Sequence, residues 1–185
     1  MSDPSRLVAL LAQRSAKLGH FTLSSGKQSN FYIDARLTTM SPDGLSIIGS
    51  IALSALRKAD WDIDAIGGLT LGADPISYAI SYASASSDHP LRAFTVRKEP
   101  KSHGTEKLIE GPLNPGDRAA VIEDVITSGR SALRAIAALR NADVLVAGVL
   151  ALVDREEGGR ETIEASGVSV ISLTNATEIM DALRI

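Results

Sequence analysis

The sequence predicts an α/β domain with a central, mostly parallel sheet flanked by helices, and three observations predict it. From Ile63 onward, five strand-length runs are apolar enough to be covered on both faces, as parallel strands are. A glycine-containing turn follows the strands, and helical spacing follows the turn, the alternation that builds parallel βαβ units. No repeat, low-complexity tract or linker divides the 185 residues, so one domain is the economical reading, with residues 1–40 as a helix and β-hairpin hood and 41–185 as the core.

The first helix is expected over 4–18, where Leu7, Leu11 and Leu18, with Val8 and Leu10, form an apolar stripe that stops before Gly19. Two extended runs follow, Phe21-Thr22-Leu23 and Phe31-Tyr32-Ile33-Asp34, joined by a polar segment from Ser24 to Asn30, which reads as a hairpin. Ser41 as N-cap and Pro42 in the first turn open a second helix that carries Ile47, Ile48, Ile51, Ala55 and Leu56. Strands are expected at 63–67, 91–97, 118–125, 144–154 and 168–173, with helices at 74–83, 128–140 and 176–183. Ligands of such open sheets bind beyond the carboxyl ends of the strands. That directs attention to 67–72, 97 onward, 123–131 and 154 onward.

Composition narrows the function classes. A chain of this length buries roughly 70% of its unfolded surface and needs no staples. With no cysteine there is neither a disulfide framework nor a thiolate metal site, and a reducing compartment, the cytoplasm, is compatible. The N-terminal apolar stretch is broken by Gln13, Arg14 and Lys17, unlike a signal peptide, and no window of 18 apolar residues suggests a membrane span. A net charge of −3 offers no basic footprint for nucleic acid. An anionic substrate must therefore be met by local clusters of charge.

One such cluster is acidic. The apolar run Ala119-Ala120-Val121-Ile122 ends in Glu123 and Asp124, and Thr127-Ser128-Gly129-Arg130-Ser131 follows after Val125 and Ile126. At a turning strand end both carboxylates can reach vicinal ribose hydroxyls. The hydroxyl-rich turn places free backbone N–H groups at a helix start, where a phosphate is attracted. The loop is too short for a P-loop and lacks its lysine. The same acids also suit plain helix capping. Arg130 either points away from a phosphate or adds to its charge.

The other cluster is basic. Arg97-Lys98-Glu99-Pro100-Lys101-Ser102-His103-Gly104 has no apolar periodicity and opens a long connection, 98–115, with Pro100, Gly104, Gly111, Pro112 and Pro115. It reads as a mobile lid, or else as a solvated charged face. His20 and His89 lie in no comparable setting and read as structural or solvent-exposed.

The stretch from Val121 to Gly129 resembles the ribose-phosphate signature of the type I phosphoribosyltransferases, and Arg-Lys-Glu-x-Lys-x-His-Gly is similar to the catalytic loop of the orotate phosphoribosyltransferase family. The hairpin from Phe21 to Asp34 resembles the N-terminal segment of that family. The resemblance spans nearly the whole chain and implies the type I phosphoribosyltransferase fold. It implies transfer of ribose 5-phosphate from 5-phosphoribosyl 1-pyrophosphate (PRPP) to orotate, giving orotidine 5-phosphate and pyrophosphate in pyrimidine synthesis. Lys101, His103 and Asp124 would be the catalytic residues. Arg97, Lys98, Lys101 and His103, with Thr70 and Leu71 of the glycine-bounded turn 67–72, would face pyrophosphate. Glu123, Asp124, Val125, Ile126, Thr127, Ser128, Gly129, Arg130 and Ser131 would hold the ribose phosphate. Arg155, Lys27, Phe31, Tyr32 and Thr127 would hold orotate, with Arg155 on its carboxylate.

The resemblance also implies Mg2+ carried by PRPP near Glu123 and Asp124, without a metal site of the protein's own. It implies a cytoplasmic homodimer whose catalytic loop reaches the partner's site. Some relatives carry lysine where Ser24 and Leu71 stand here. A phosphoribosyltransferase for purines or uracil shares the acidic loop but not the lysine-histidine lid. A non-catalytic regulator that senses PRPP would carry a basic surface or a DNA-binding segment.

Overall fold

The computed structural model describes residues 3–22, 28–99 and 107–184. Helix α1 (Pro4–Arg14) leads into a two-stranded antiparallel hairpin, β1 (Ala16–Thr22) and β2 (Gln28–Ile33). After the short α2 (Arg36–Thr39) come α3 (Pro42–Lys58), β3 (Ala65–Leu69), α4 (Ala73–Ser84), β4 (Arg92–Val96) and β5 (Ile109–Glu110). The chain closes with β6 (Arg118–Ile126), α5 (Arg130–Arg140), β7 (Leu145–Asp154), α6 (Gly159–Glu164), β8 (Val170–Asn175) and α7 (Ala176–Ala182). The main sheet has the order β5-β4-β3-β6-β7-β8, parallel except for β5.

Strand β6 shows why the sheet is buried on both faces. Successive side chains of a strand point to opposite sides. Ala120 and Ile122 join the core under α1, α3, α4 and α7, whereas Ala119 and Val121 join the core under α5 and α6. The chain winds from β3 to β4 in one direction and then returns past β3 to β6. The carboxyl ends of β3 and β6 therefore part where the winding reverses, and a crevice opens there.

Several expected boundaries are corrected. The first helix ends at Arg14, and Leu18 sits in β1 with 54% of its surface exposed. Buried Ser15 breaks the helix: its hydroxyl bonds Thr38 Oγ1 at 2.7 Å and its carbonyl accepts from Asp34 N, so pairing with β2 begins at once, Ala16 against Ile33. Arg14 then donates to both carboxylate oxygens of Asp43 at 2.7 Å, tying the end of α1 to the start of α3. The expected lid 98–115 is not one continuous loop, because Ile109 and Glu110 pair antiparallel with Val96 and Thr95. Arg97 N also donates to Leu108 O, which fixes that end of the connection to the sheet edge. Three elements were not foreseen: α2, β5 and α6. No helix among the described residues is long and apolar enough to cross a membrane.

Candidate active site

A cleft of about 310 Å³ lies at the carboxyl ends of β3 and β6, under the β2 end of the hairpin. Its lining brings together Glu123, Asp124, Val125, Thr127 and Ser131 with Thr70, Leu71, Lys98, Tyr32 and Arg155. It also includes Asp34 and Gly72, at the ends of the hairpin and of the glycine-bounded turn, and Arg36, for which the sequence carried no signal.

Glu123 and Asp124 lie side by side near the carboxyl end of β6. Burial, followed by the neighbouring Asp124 charge, raises the proton affinity of Glu123 well above the ordinary carboxylate range. Asp124 is raised too, chiefly by burial, with the Val125 N–H donating to Oδ1 at 2.8 Å in opposition. The coupling between the two carboxyls favours the proton on Glu123 and the charge on Asp124. Gly72 is what lets Asp124 sit there: a Cβ at Gly72 would run into the Asp124 carboxylate. Arg36 faces the same acids, held in a fork by Asp34 at 2.8 and 2.9 Å, and its positive charge favours ionised Asp124.

The turn after β6 needs a left-handed residue, and Gly129 supplies it at φ +76° just before α5. A side chain at Gly129 would also strike Gly159 O at 2.7 Å, so the N-terminus of α6 packs directly beneath the turn. This support gives α6 its role in the site. Thr127 and Ser131 line the cleft at the start of α5, where an anion meets free N–H groups and the helix dipole. Ser128, Gly129 and Arg130 are not among the cleft-lining residues; Arg130 is exposed and its Nε donates to Ser128 Oγ at 3.3 Å, so its charge stays beside the loop. Ile126 is a core residue, 1% exposed, that contributes its carbonyl as acceptor for Arg155 N.

On the β3 side, Thr70 N donates to Val96 O, and the Thr70–Leu71 peptide is cis. Buried Asp74 steadies this turn by accepting from Thr70 Oγ1 at 2.7 Å and Thr95 Oγ1 at 2.9 Å. Leu71 is 52% exposed in the cleft wall. Arg97 is not in the lining; its Nη1 lies 3.7 Å from Glu110 Oε1 of β5, which turns it toward the sheet edge. Lys98 is in the lining, and Arg134 Nη2 donates to its carbonyl.

The hairpin side is organised by Arg155, buried at the end of β7. Its Nη2 donates to Phe31 O at 3.3 Å and Ser29 Oγ at 3.4 Å, and its Nε donates to Glu157 Oε1 at 2.8 Å. The guanidinium carbon lies 5.7 Å from the centre of the Phe31 ring. The expectation of Phe31 as a cover for a planar base is corrected in one respect. Its ring belongs to the hydrophobic core and does not line the cleft, because the alternation of β2 turns Phe31 and Ile33 inward. Tyr32 points the other way, 39% exposed, and stacks obliquely on Phe21 with ring centres 5.3 Å apart. His20 and His89 are both exposed. Lys27, Ser24, Lys101 and His103 lie outside the described residues.

Among the described residues no group of three or more His, Asp or Glu stands ready to cage a metal ion. Glu123 and Asp124 are hard oxygen donors of the kind Mg2+ accepts one or two at a time, beside substrate phosphates.

No protein-family model matches the chain. Among curated proteins it is 47% identical to the orotate phosphoribosyltransferase of Aquifex aeolicus over 183 residues, covering 97% of this chain and 99% of that protein. It is 44% identical over 179 residues to the orotate phosphoribosyltransferase of Synechocystis, covering 96% and 89%. Among solved structures, that of Mycobacterium tuberculosis orotate phosphoribosyltransferase in complex with 5-phospho-alpha-D-ribosyl 1-diphosphate superposes with a TM-score of 0.80. It is 36% identical and covers 96% of this chain and 98% of that one.

Proposed function

The chain belongs to the orotate phosphoribosyltransferases, and from that premise we propose how its cleft divides the work of moving ribose 5-phosphate from PRPP to orotate. The single observation that carries the assignment of roles is that the carboxylates Glu123 and Asp124 and the arginine Arg155 line one cleft. A donor with two ribose hydroxyls suits the acids. An acceptor with a carboxylate suits Arg155.

The turn at 127–131 takes the 5-phosphate through backbone N–H groups and the hydroxyls of Thr127 and Ser131. Glu123 and Asp124 accept from the ribose 2- and 3-hydroxyls and stabilise positive charge that develops on the sugar as the bond to pyrophosphate breaks. The backbone of Thr70 and Leu71, with Lys98, faces the leaving pyrophosphate. Lys101 and His103 are proposed, on sequence grounds, to complete that cationic wall, with His103 able to protonate the departing oxygen near neutral pH. Orotate lies between Tyr32 and Val125, its carboxylate on Arg155 and its nitrogen toward the anomeric carbon. The raised proton affinities of Glu123 and Asp124 mark a pair awaiting a cation or hydroxyl donors. Mg2+ arriving on PRPP would be held by them and would neutralise the phosphates. A homodimer that shares the loop containing Lys101, and a cytoplasmic location, belong to the same proposal.

The direct test follows the loss of orotate absorbance on adding PRPP and Mg2+, with uracil, hypoxanthine and adenine as competitors. Consumption of orotate that none of the three competes away supports the reading. Turnover of another base in its place rejects it.

A further inference from the structure

The chain just beyond β7 is bent by contacts that have no part in holding substrate, and they converge on one side chain. Asp154, 5% exposed, accepts from Glu156 N at 2.9 Å through Oδ1 and from Arg160 Nε at 2.8 Å through Oδ2. Glu156 adopts φ +59°, a left-handed conformation costly for a residue with a side chain. What holds it there is α7, whose Thr177 donates to the Glu156 carboxylate from both N, at 3.0 Å, and Oγ1, at 2.6 Å. Gly158, at φ +86°, completes the turn into α6.

The result is that Glu157, two residues from Arg155, folds back and accepts from its Nε at 2.8 Å. A guanidinium has five N–H donors in a rigid plane, so fixing one side fixes the direction of the other. Here Nε is engaged by Glu157 and Nη2 by Ser29 and Phe31, while Nη1 donates to none of the described residues.

We propose that Glu157 is a positioning residue for the transfer to orotate: it clamps the Nε side of Arg155 so that the free Nη1 side is presented to the carboxylate of the base. This rests on the reading of Arg155 as the carboxylate-binding group. Without Glu157, the hydrogen bonds left to the guanidinium are the two longer ones at 3.3 and 3.4 Å, beside the Phe31 ring, and it loses the orientation that a planar anion requires.

The test compares Glu157→Ala, Glu157→Gln, Arg155→Ala and the Arg155→Ala/Glu157→Ala double variant, each in full-length protein with its melting temperature recorded. Glu157→Ala is expected to raise KM for orotate about tenfold while KM for PRPP and kcat move less than about twofold. Glu157→Gln keeps an oxygen acceptor for Nε and should recover most of the loss. In the double variant KM for orotate should equal that of Arg155→Ala alone, because Glu157 acts through that arginine. Two results overturn the inference: an unchanged orotate KM in Glu157→Ala while Arg155→Ala raises it, or parallel loss of both substrates with a lowered melting temperature. An orotate KM untouched by Arg155→Ala instead rejects the carboxylate reading itself, so the two failures are distinguishable.

Discussion

The acidic side of the cleft comes from consecutive residues at the end of one strand, whereas its Arg155 side is assembled from positions 126 residues apart in the chain, Ser29 and Arg155. The first is rigid by construction. Glu123 and Asp124 follow a run, Ala119 to Ile122, that is fully buried, and Gly72 leaves just enough space for the second carboxylate. The second depends on docking the hairpin against the sheet and on a bent turn that returns Glu157 to its own neighbour. A local constellation keeps its geometry if one strand folds; a distributed one needs the whole domain. Damage on the acidic side should therefore appear in turnover and PRPP use, and damage on the Arg155 side in orotate affinity.

The largest effect is expected on the acidic side. Asp124→Asn removes a charge from the side proposed to face the sugar and should lower kcat/KM by roughly 10²–10³, the usual loss for one preorganised electrostatic group. Steady-state kinetics at saturating orotate check it, and a loss confined to orotate KM would contradict the division between the two sides. Arg155→Ala comes next. Loss of a charge-assisted fork should raise KM for orotate by roughly 10² with little change in KM for PRPP. Equal weakening of both substrates would show that the two sides are not separable.

Gly72→Ala sharpens the same contrast from a position outside both clusters. Its Cβ would collide with the Asp124 carboxylate, so Asp124 must move. The expected outcome is a roughly tenfold rise in KM for PRPP and an unchanged response to orotate, since displacement is milder than removal of the charge. Isothermal titration with PRPP and Mg2+ measures it without relying on turnover.

The same contrast explains how much could be read from the chain alone. The parallel strands of the sheet, α3, α4, α5 and the Glu123–Ser131 loop were visible because each is carried by contiguous residues with a periodicity or a turn signature. Arg155 was visible as a residue at a strand end. Its partners were not, because Ser29, Phe31 O and Glu157 reach it only through tertiary docking or an unusual backbone bend. Elements α2, β5 and α6 are 4, 2 and 6 residues long, too short to impose a hydrophobic period. The spacing of Leu18 continued the α1 stripe, yet the buried Ser15–Thr38 hydrogen bond and β pairing prevailed over it. Arg36 belongs to the site because Asp34 clamps it toward Asp124, a relation between neighbours in a loop that carries no pattern.

The smallest expected effect concerns stability, and it separates the acids from the rest of the cleft without an assay of turnover. Glu123 has a proton affinity raised well above the usual value of 4.5, first by burial and then by Asp124. In the unfolded chain no such burden exists, so between the ordinary pKa and the raised one the folded state binds more protons than the unfolded. Stability contributed by this group therefore falls as pH rises through that window, and ionised Glu123 is a cost to the ligand-free protein above it. Glu123→Gln removes the charge and retains a donor for Asp124. Its melting temperature should exceed that of the native protein by a few degrees near pH 8, and the difference should shrink toward zero near pH 4. PRPP with Mg2+ should reverse the order, because only the native pair gains from a bound cation. A variant no more stable than the native protein at pH 8 would mean that the buried acids are already compensated from within the fold. The acidic side would then share the tertiary dependence of the Arg155 side.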